Sequence, residues 1–227
     1  MKKFFLSIVI FLISSLYAFG HVDHYKQYET LEYELFRNNK LIGTHKYNFI
    51  RTNQNIIVKS VVKFKITKLG VELYNYFAES EEIYKNGIFT NFRSKTNQNK
   101  KKKYVNIDYI KDKNELKIDG SSFKGNVSKN FIVGTWWNHE IIKAKAQISA
   151  ISGRVIEQNV EFLGKEVLNI GNKSYNTLKF RFSSSDKKLP DKKKLNTEIW
   201  YEENTYLWVK AAFDKTGYWE YRLKNYK

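Results

Sequence analysis

Apolar and polar residues alternate one for one along most of this chain, and that period fixes the fold class before anything else does. In residues 30–36, Leu31, Tyr33 and Leu35 fall on one face, and Glu32 and Glu34 on the other. In residues 56–66, Val58, Val62, Phe64 and Ile66 alternate with Lys59, Lys63 and Lys65. Successive side chains of a strand point to opposite faces, so this pattern marks antiparallel strands with one face buried. It recurs in residues 73–84 and 88–96, joined by Asn86-Gly87, the dipeptide favoured by a type I′ hairpin turn. Residues 104–110, 115–118, 155–162, 174–182, 195–201, 207–213 and 218–223 continue it. With 41–50 this predicts eleven or twelve strands joined by short turns. The expected fold is mainly β: a single large curled antiparallel sheet, a half-barrel or open barrel, whose concave face must be covered.

One window breaks the period. Thr135 is placed to cap a helix, with Ile141, Ile142 and Ala146 along one side. One covering helix near residues 137–146 is therefore expected over the open side of the sheet. Residues 97–103, with four consecutive lysines, and 183–194, with five lysines and the single proline Pro190, read as exposed loops.

The N-terminus predicts destination. Lys2 and Lys3 precede residues 4–16, which carry no charge, and Ala18 and Gly20 stand at −3 and −1 of a cut before His21. That is the plan of a secretory signal peptide. The apolar run spans ~20 Å as a helix, short of the ~30 Å hydrocarbon core. Residues 1–20 are thus expected to be removed, leaving a single β-rich periplasmic domain over 21–227; an uncleaved inner-membrane anchor is the alternative.

Composition excludes some chemistry. There is no cysteine in the sequence, which removes disulfides, thiol catalysis and an N-terminal lipidated cysteine. The formal net charge is +17, of which Lys2 and Lys3 supply two. In an exported protein that balance points to an anionic membrane surface or cell-wall polymer rather than nucleic acid. Lysines solvated on outward strand faces explain it equally well.

Few residues carry a chemical signal. No nucleophile elbow, P-loop, dinucleotide motif or zincin helix is present, and no cofactor is expected. The amine and ring of a terminal His21, with His24 or His45 supplying another nitrogen, form a weak alternative metal site; a polar leader before the first strand is the other reading. Glu79 and Glu81 share a strand face about 7 Å apart, which fits either a hydrolytic carboxylate pair or a solvent face answering lysines. Trp136 and Trp137 follow Gly134-Thr135 and either lock the covering segment onto the sheet or line a cavity mouth. Trp137 is expected under the sheet and Trp136 nearer the opening. Gly43 precedes Thr44 and His45; the glycine permits a bulge or close approach, and His45 is a buried histidine or the polar point of a cavity.

Several of these segments, in order, resemble a secreted proteobacterial family of unknown function. They are residues 41–45 (Leu-Ile-Gly-Thr-His), Leu69-Gly70-Val71 with Tyr74 and Tyr76, Glu81 through Asn86-Gly87, Thr135-Trp136-Trp137-Asn138, Ser152-Gly153 and Trp200-Tyr201-Glu202-Glu203. The family's tryptophan turn reads Thr-x-Trp-Asn, which matches Thr135, Trp137 and Asn138. The resemblance implies a curled antiparallel sheet loosely akin to periplasmic lipoprotein-carrier half-barrels, and no established activity. The function expected first is a periplasmic binding or carrier module for an apolar or lipid-like ligand, with Trp136, Trp137 and His45 as ligand-binding candidates. A non-catalytic cell-envelope protein with a basic surface, and an envelope hydrolase, are the alternatives.

Overall fold

A computed structural model describes residues 25–227. Residues 1–20, expected from the sequence to be a signal peptide, and the metal candidates His21 and His24 lie outside the described residues. Fifteen strands follow in chain order: β1 (Thr30–Arg37), β2 (Lys40–Arg51), β3 (Asn55–Lys68), β4 (Val71–Lys85), β5 (Ile88–Gln98), β6 (Lys101–Ile110), β7 (Glu115–Gly120), β8 (Lys124–Ser128), β9 (Ile132–Val133), β10 (Ala146–Ile148), β11 (Val155–Ile170), β12 (Lys173–Ser184), β13 (Asn196–Glu202), β14 (Trp208–Asp214) and β15 (Tyr218–Tyr226). They form one open sheet in the order β8-β7-β6-β5-β4-β3-β2-β1-β15-β14-β13-β12-β11-β10-β9. Every pair is antiparallel except the short parallel pair β9/β10.

Each strand lies beside its sequence neighbour, apart from one long-range junction in the middle, where β1 pairs β15. The two edges, β8 and β9, are joined only by residues 129–131. Four extended residue steps reach at most ~14 Å. The sheet therefore rolls until its edges face each other, without pairing, into an unclosed barrel.

The alternation decides which face is inside. Leu31, Tyr33 and Leu35 are fully buried, while Glu32 and Glu34 on the other face pair with Lys46 and Lys224 at 2.9 and 3.0 Å. The interior is filled largely by rings: Tyr25, Tyr33, Tyr47, Trp137, Tyr201 and Trp208 are each at most 1% exposed. Tyr33 stacks on Trp208 at 4.1 Å and donates its hydroxyl to the Trp208 carbonyl at 2.8 Å. Aromatic rings bury large areas, but a buried hydroxyl must find an acceptor. Gly43 proves to be a close approach: a Cβ there would collide with the Lys63 carbonyl and with Phe64 on β3.

The covering helix is not there. Among the described residues the helical segments are short 3₁₀ turns, and residues 135–150 contain only one, His139–Ile142. Trp136 sits at φ 60°, outside any right-handed helix, and Ala146–Ile148 is taken by β10, wholly buried against β11. The apolar spacing that suggested one helix belongs to a turn, a 3₁₀ turn and a strand in succession. The segment 131–154 still covers the concave face: Val133 and Ile148 pack with Phe92, Ile107 and Ile118. The lysine run is also no loop. β5 and β6 continue through it, and only Asn99 and Lys100 form the turn, both at positive φ.

Candidate functional site

The turn 133–138 follows the edge strand β9, with a cleft beside Val133 and Asn138 and a separate cavity beside Gly134, Thr135 and Trp136. The Trp137 amide donates to the Thr135 carbonyl at 2.8 Å, around Trp136 at φ 60°. An i to i+2 bond about a residue at positive φ is the rare, strained form of γ-turn. A left-handed conformation costs a bulky residue ~1–2 kcal/mol, so the surroundings must hold it. They do so by hydrogen bonds from three strands. Tyr47 on β2 donates to the Thr135 carbonyl at 2.6 Å, and Tyr201 on β13 to the Trp136 carbonyl at 2.8 Å. Glu82 on β4 accepts from Trp137 Nε1 at 3.1 Å, from Thr135 Oγ1 at 3.4 Å, and from the Tyr84 hydroxyl. Asn138 Nδ2 completes the cluster on the Tyr84 hydroxyl at 3.3 Å, while Asn138 Oδ1 caps the 3₁₀ turn at the Glu140 amide.

Glu82 is 2% exposed and has no ion-pair partner among the described residues. Burial pushes its carboxyl up to about 7, against the pull of its three hydrogen-bond donors. It stands at the foot of a cleft of about 350 Å³. Tyr84, Phe89, Leu116 and Phe131 wall the cleft, Asn138 and Glu140 share its floor, and Lys129 and Lys143 mark its rim. Lys143 pairs with Glu140 at 2.9 Å. The cleft lies at the end of the barrel that carries the β4–β5 turn and the 129–131 link.

The other side of the turn is different. His45 on β2 is 7% exposed, and neither ring nitrogen has a hydrogen-bond partner among the described residues. Burial alone pushes its pKa down to about 3, so the ring is neutral. Tyr47 lies 4.3 Å away, centroid to centroid, and Tyr221 5.9 Å away. His45, Trp136, Tyr76, Thr96, Gln147 and Tyr221 surround a cavity of about 190 Å³.

The structure thus brings His45 and Trp136 to one cavity and sets Trp137 apart. Trp137 is fully buried, edge-on to Tyr25, Phe49 and Tyr84. Glu79 and Glu81 point to the outer face, where Glu81 pairs with Lys59 at 3.4 Å. The residue that sequence reasoning passed over is Glu82. Its signal was phase: it falls between Tyr76 and Tyr84 on the inward side of β4, where a carboxylate is unexpected. No cluster of three metal-type ligands occurs among the described residues.

Comparison with known proteins bears on the fold. A beta-barrel-like protein of domain of unknown function DUF1849 from Brucella abortus is similar over 87% of this chain and 96% of that chain, with TM-score 0.58 and 10% identity. A DUF1329 family protein from Desulfovibrio piger covers 91% of this chain and 88% of its own at 10% identity, with a TM-score of only 0.27. No curated protein matches the chain. Residues 33–224, from β1 to β15, match the domain of unknown function DUF6134, and the chain belongs to that family.

Proposed function

We propose that this is an exported, periplasmic binding module for one small apolar or amphipathic molecule, taken up in the cleft beside Glu82. The observation that carries the reading is the cleft itself. Its volume of about 350 Å³ falls at the lower end of the ~300–1,000 Å³ usual for small-molecule sites. Its walls are mostly aromatic and aliphatic, with a few polar groups at the floor and lysines at the rim. That arrangement suits a chain end inside and an anionic group outside. The filled aromatic interior argues against a groove running the length of the barrel, so only part of a long acyl chain would enter. This narrows the lipoprotein-carrier analogy drawn from the sequence to a lipid-like ligand held by one end. The N-terminal plan of residues 2–20 supports export.

The test is titration with a fluorescent fatty-acid probe. Wild type is expected to bind it. Ile132→Trp, which fills the cleft, should abolish uptake while keeping a cooperative melt. The exposed change Lys129→Glu should weaken binding at least fivefold. No uptake by wild type, or uptake indifferent to Ile132→Trp, would end the proposal.

A further inference from the structure

The strand register sorts the turns between the two ends of the barrel. The Asn38 amide bonds the Tyr218 carbonyl at 2.8 Å, which sets the β1–β2 turn beside the β14–β15 turn. The Asn99 amide bonds the Asn75 carbonyl at 2.8 Å, which puts the β5–β6 turn beside the β3–β4 hairpin. Arg154 donates to the Lys193 carbonyl at 3.0 Å, tying in the 185–195 connection. Both lysine-rich segments therefore share one end, opposite the cleft. Together they bring nine lysines, 100–103, 187–188 and 192–194, to which Lys40, Lys68 and Lys215 add.

Four acids, Glu72, Asp186, Asp191 and Asp214, lie in or beside these turns against the twelve lysines. Glu72 is engaged by Lys65 at 2.9 Å and Asp191 by Lys194 at 2.8 Å. The cations crowd one another across the mouth: partial burial, then the charges of Arg154 and Lys103, hold the Lys215 ammonium below its usual range.

The same end carries exposed apolar side chains. Tyr76 is the first β4 residue paired with β5, so the β3–β4 hairpin projects beyond its β5 neighbour. At its tip Leu69 is 96% exposed and Val71 61%; Leu73 and, at the start of β2, Leu41 are exposed as well. A solvated face has no use for leucine at the apex of a finger ringed by lysine. An anionic polymer would reward the lysines and ignore the leucine. A lipid surface uses both, because basic side chains meet anionic headgroups while apolar ones enter the interfacial layer.

We propose that this end of the barrel docks on an anionic lipid bilayer, with Leu69 and Val71 entering the headgroup region and the lysine turns lying on the surface. The cleft at the other end then faces away from the membrane. The experiment uses the absence of cysteine in the sequence. Leu69→Cys, labelled with an environment-sensitive fluorophore, should shift to the blue with phosphatidylglycerol vesicles and not with phosphatidylcholine vesicles. The same label at Gln54→Cys, at the opposite end, should not respond. Replacing Lys100, Lys101, Lys102 and Lys103 with serine should cut vesicle partitioning at least tenfold with an unchanged melting temperature, and salt should do the same. A silent Leu69 label on vesicles that do bind the protein would overturn the proposal. So would equal affinity for dextran sulfate, or binding that survives the lysine replacement.

Discussion

The two sides of the turn 133–138 bury a titratable group each, and treat it in opposite ways. On the cleft side, Glu82 receives three hydrogen bonds, from Thr135, Trp137 and Tyr84. On the cavity side, His45 receives none among the described residues. Thr135 and Trp137 bond Glu82 and Asn138 bonds Tyr84, whereas Trp136 between them faces the cavity with His45. One face of the turn is a lock. The other leaves buried donors and acceptors uncommitted, which is costly unless something uses them.

The comparison can be broken most sharply at Trp137. Trp137→Ala removes a fully buried ring and the bond to Glu82, and should cost ~3–5 kcal/mol. In a domain of this size that lowers the melting temperature on the order of 10 °C. A loss below ~1 kcal/mol would mean that the lock is not where the turn is held.

The next effects are in pH, and they oppose each other. Glu82 has a folded pKa of about 7 against 4.5 for a free carboxyl. Between those values the folded state binds more protons than the unfolded one, so this group's contribution to stability falls as pH rises. His45 has a folded pKa of about 3 against 6.5. Between those values the folded state binds fewer protons, so its contribution falls as pH drops. From pH 4.5 to 6.5 the two slopes cancel in the wild type. Glu82→Gln should become more stable relative to wild type by ~3 kcal/mol as pH rises from 4.5 to 7. His45→Asn should become more stable relative to wild type by a similar ~3 kcal/mol as pH falls from 6.5 to 4.5. Denaturant melts across that range check both. Parallel curves for either variant and wild type would show that its group does not titrate as its burial demands.

Trp136→Ala should have the smallest effect on stability, ~1–2 kcal/mol, since the ring is only half-buried and the left-handed backbone is no easier for alanine. It should leave probe binding in the cleft unchanged. If it abolishes uptake, the ligand sits with His45 and not with Glu82.

Much of this was legible from residue order. The inward set of β1, the Asn86-Gly87 hairpin and the close approach at Gly43 each follow from local rules, because period, turn chemistry and side-chain size act within a few residues. Segment 135–150 was not legible. Its apolar residues answer to three different neighbours, so their spacing imitates a helix that the left-handed Trp136 forbids. The lysine run looked like a loop because charge was read in place of phase. Glu82 was overlooked beside Glu79 and Glu81 for the same reason. A strand's outward acids advertise themselves, whereas an inward one is recognised only once its partners, 53 to 55 residues away in sequence, are known.

The junction of β1 with β15 sets an order of events. Leu31 faces Tyr226 and Phe36 faces Glu220 across it. All other joints in the sheet connect strands adjacent in the chain, so two meanders, β1–β8 and β9–β15, can grow independently from local pairings. The sheet becomes continuous only when the strand made last finds the strand made first. Until then β1 offers a bare edge lined by leucine and tyrosine, an invitation to pair with the wrong chain. Closure of that middle seam should be the slow folding step, as joints between distant segments are. The time spent unsealed is then this chain's period of greatest exposure to aggregation.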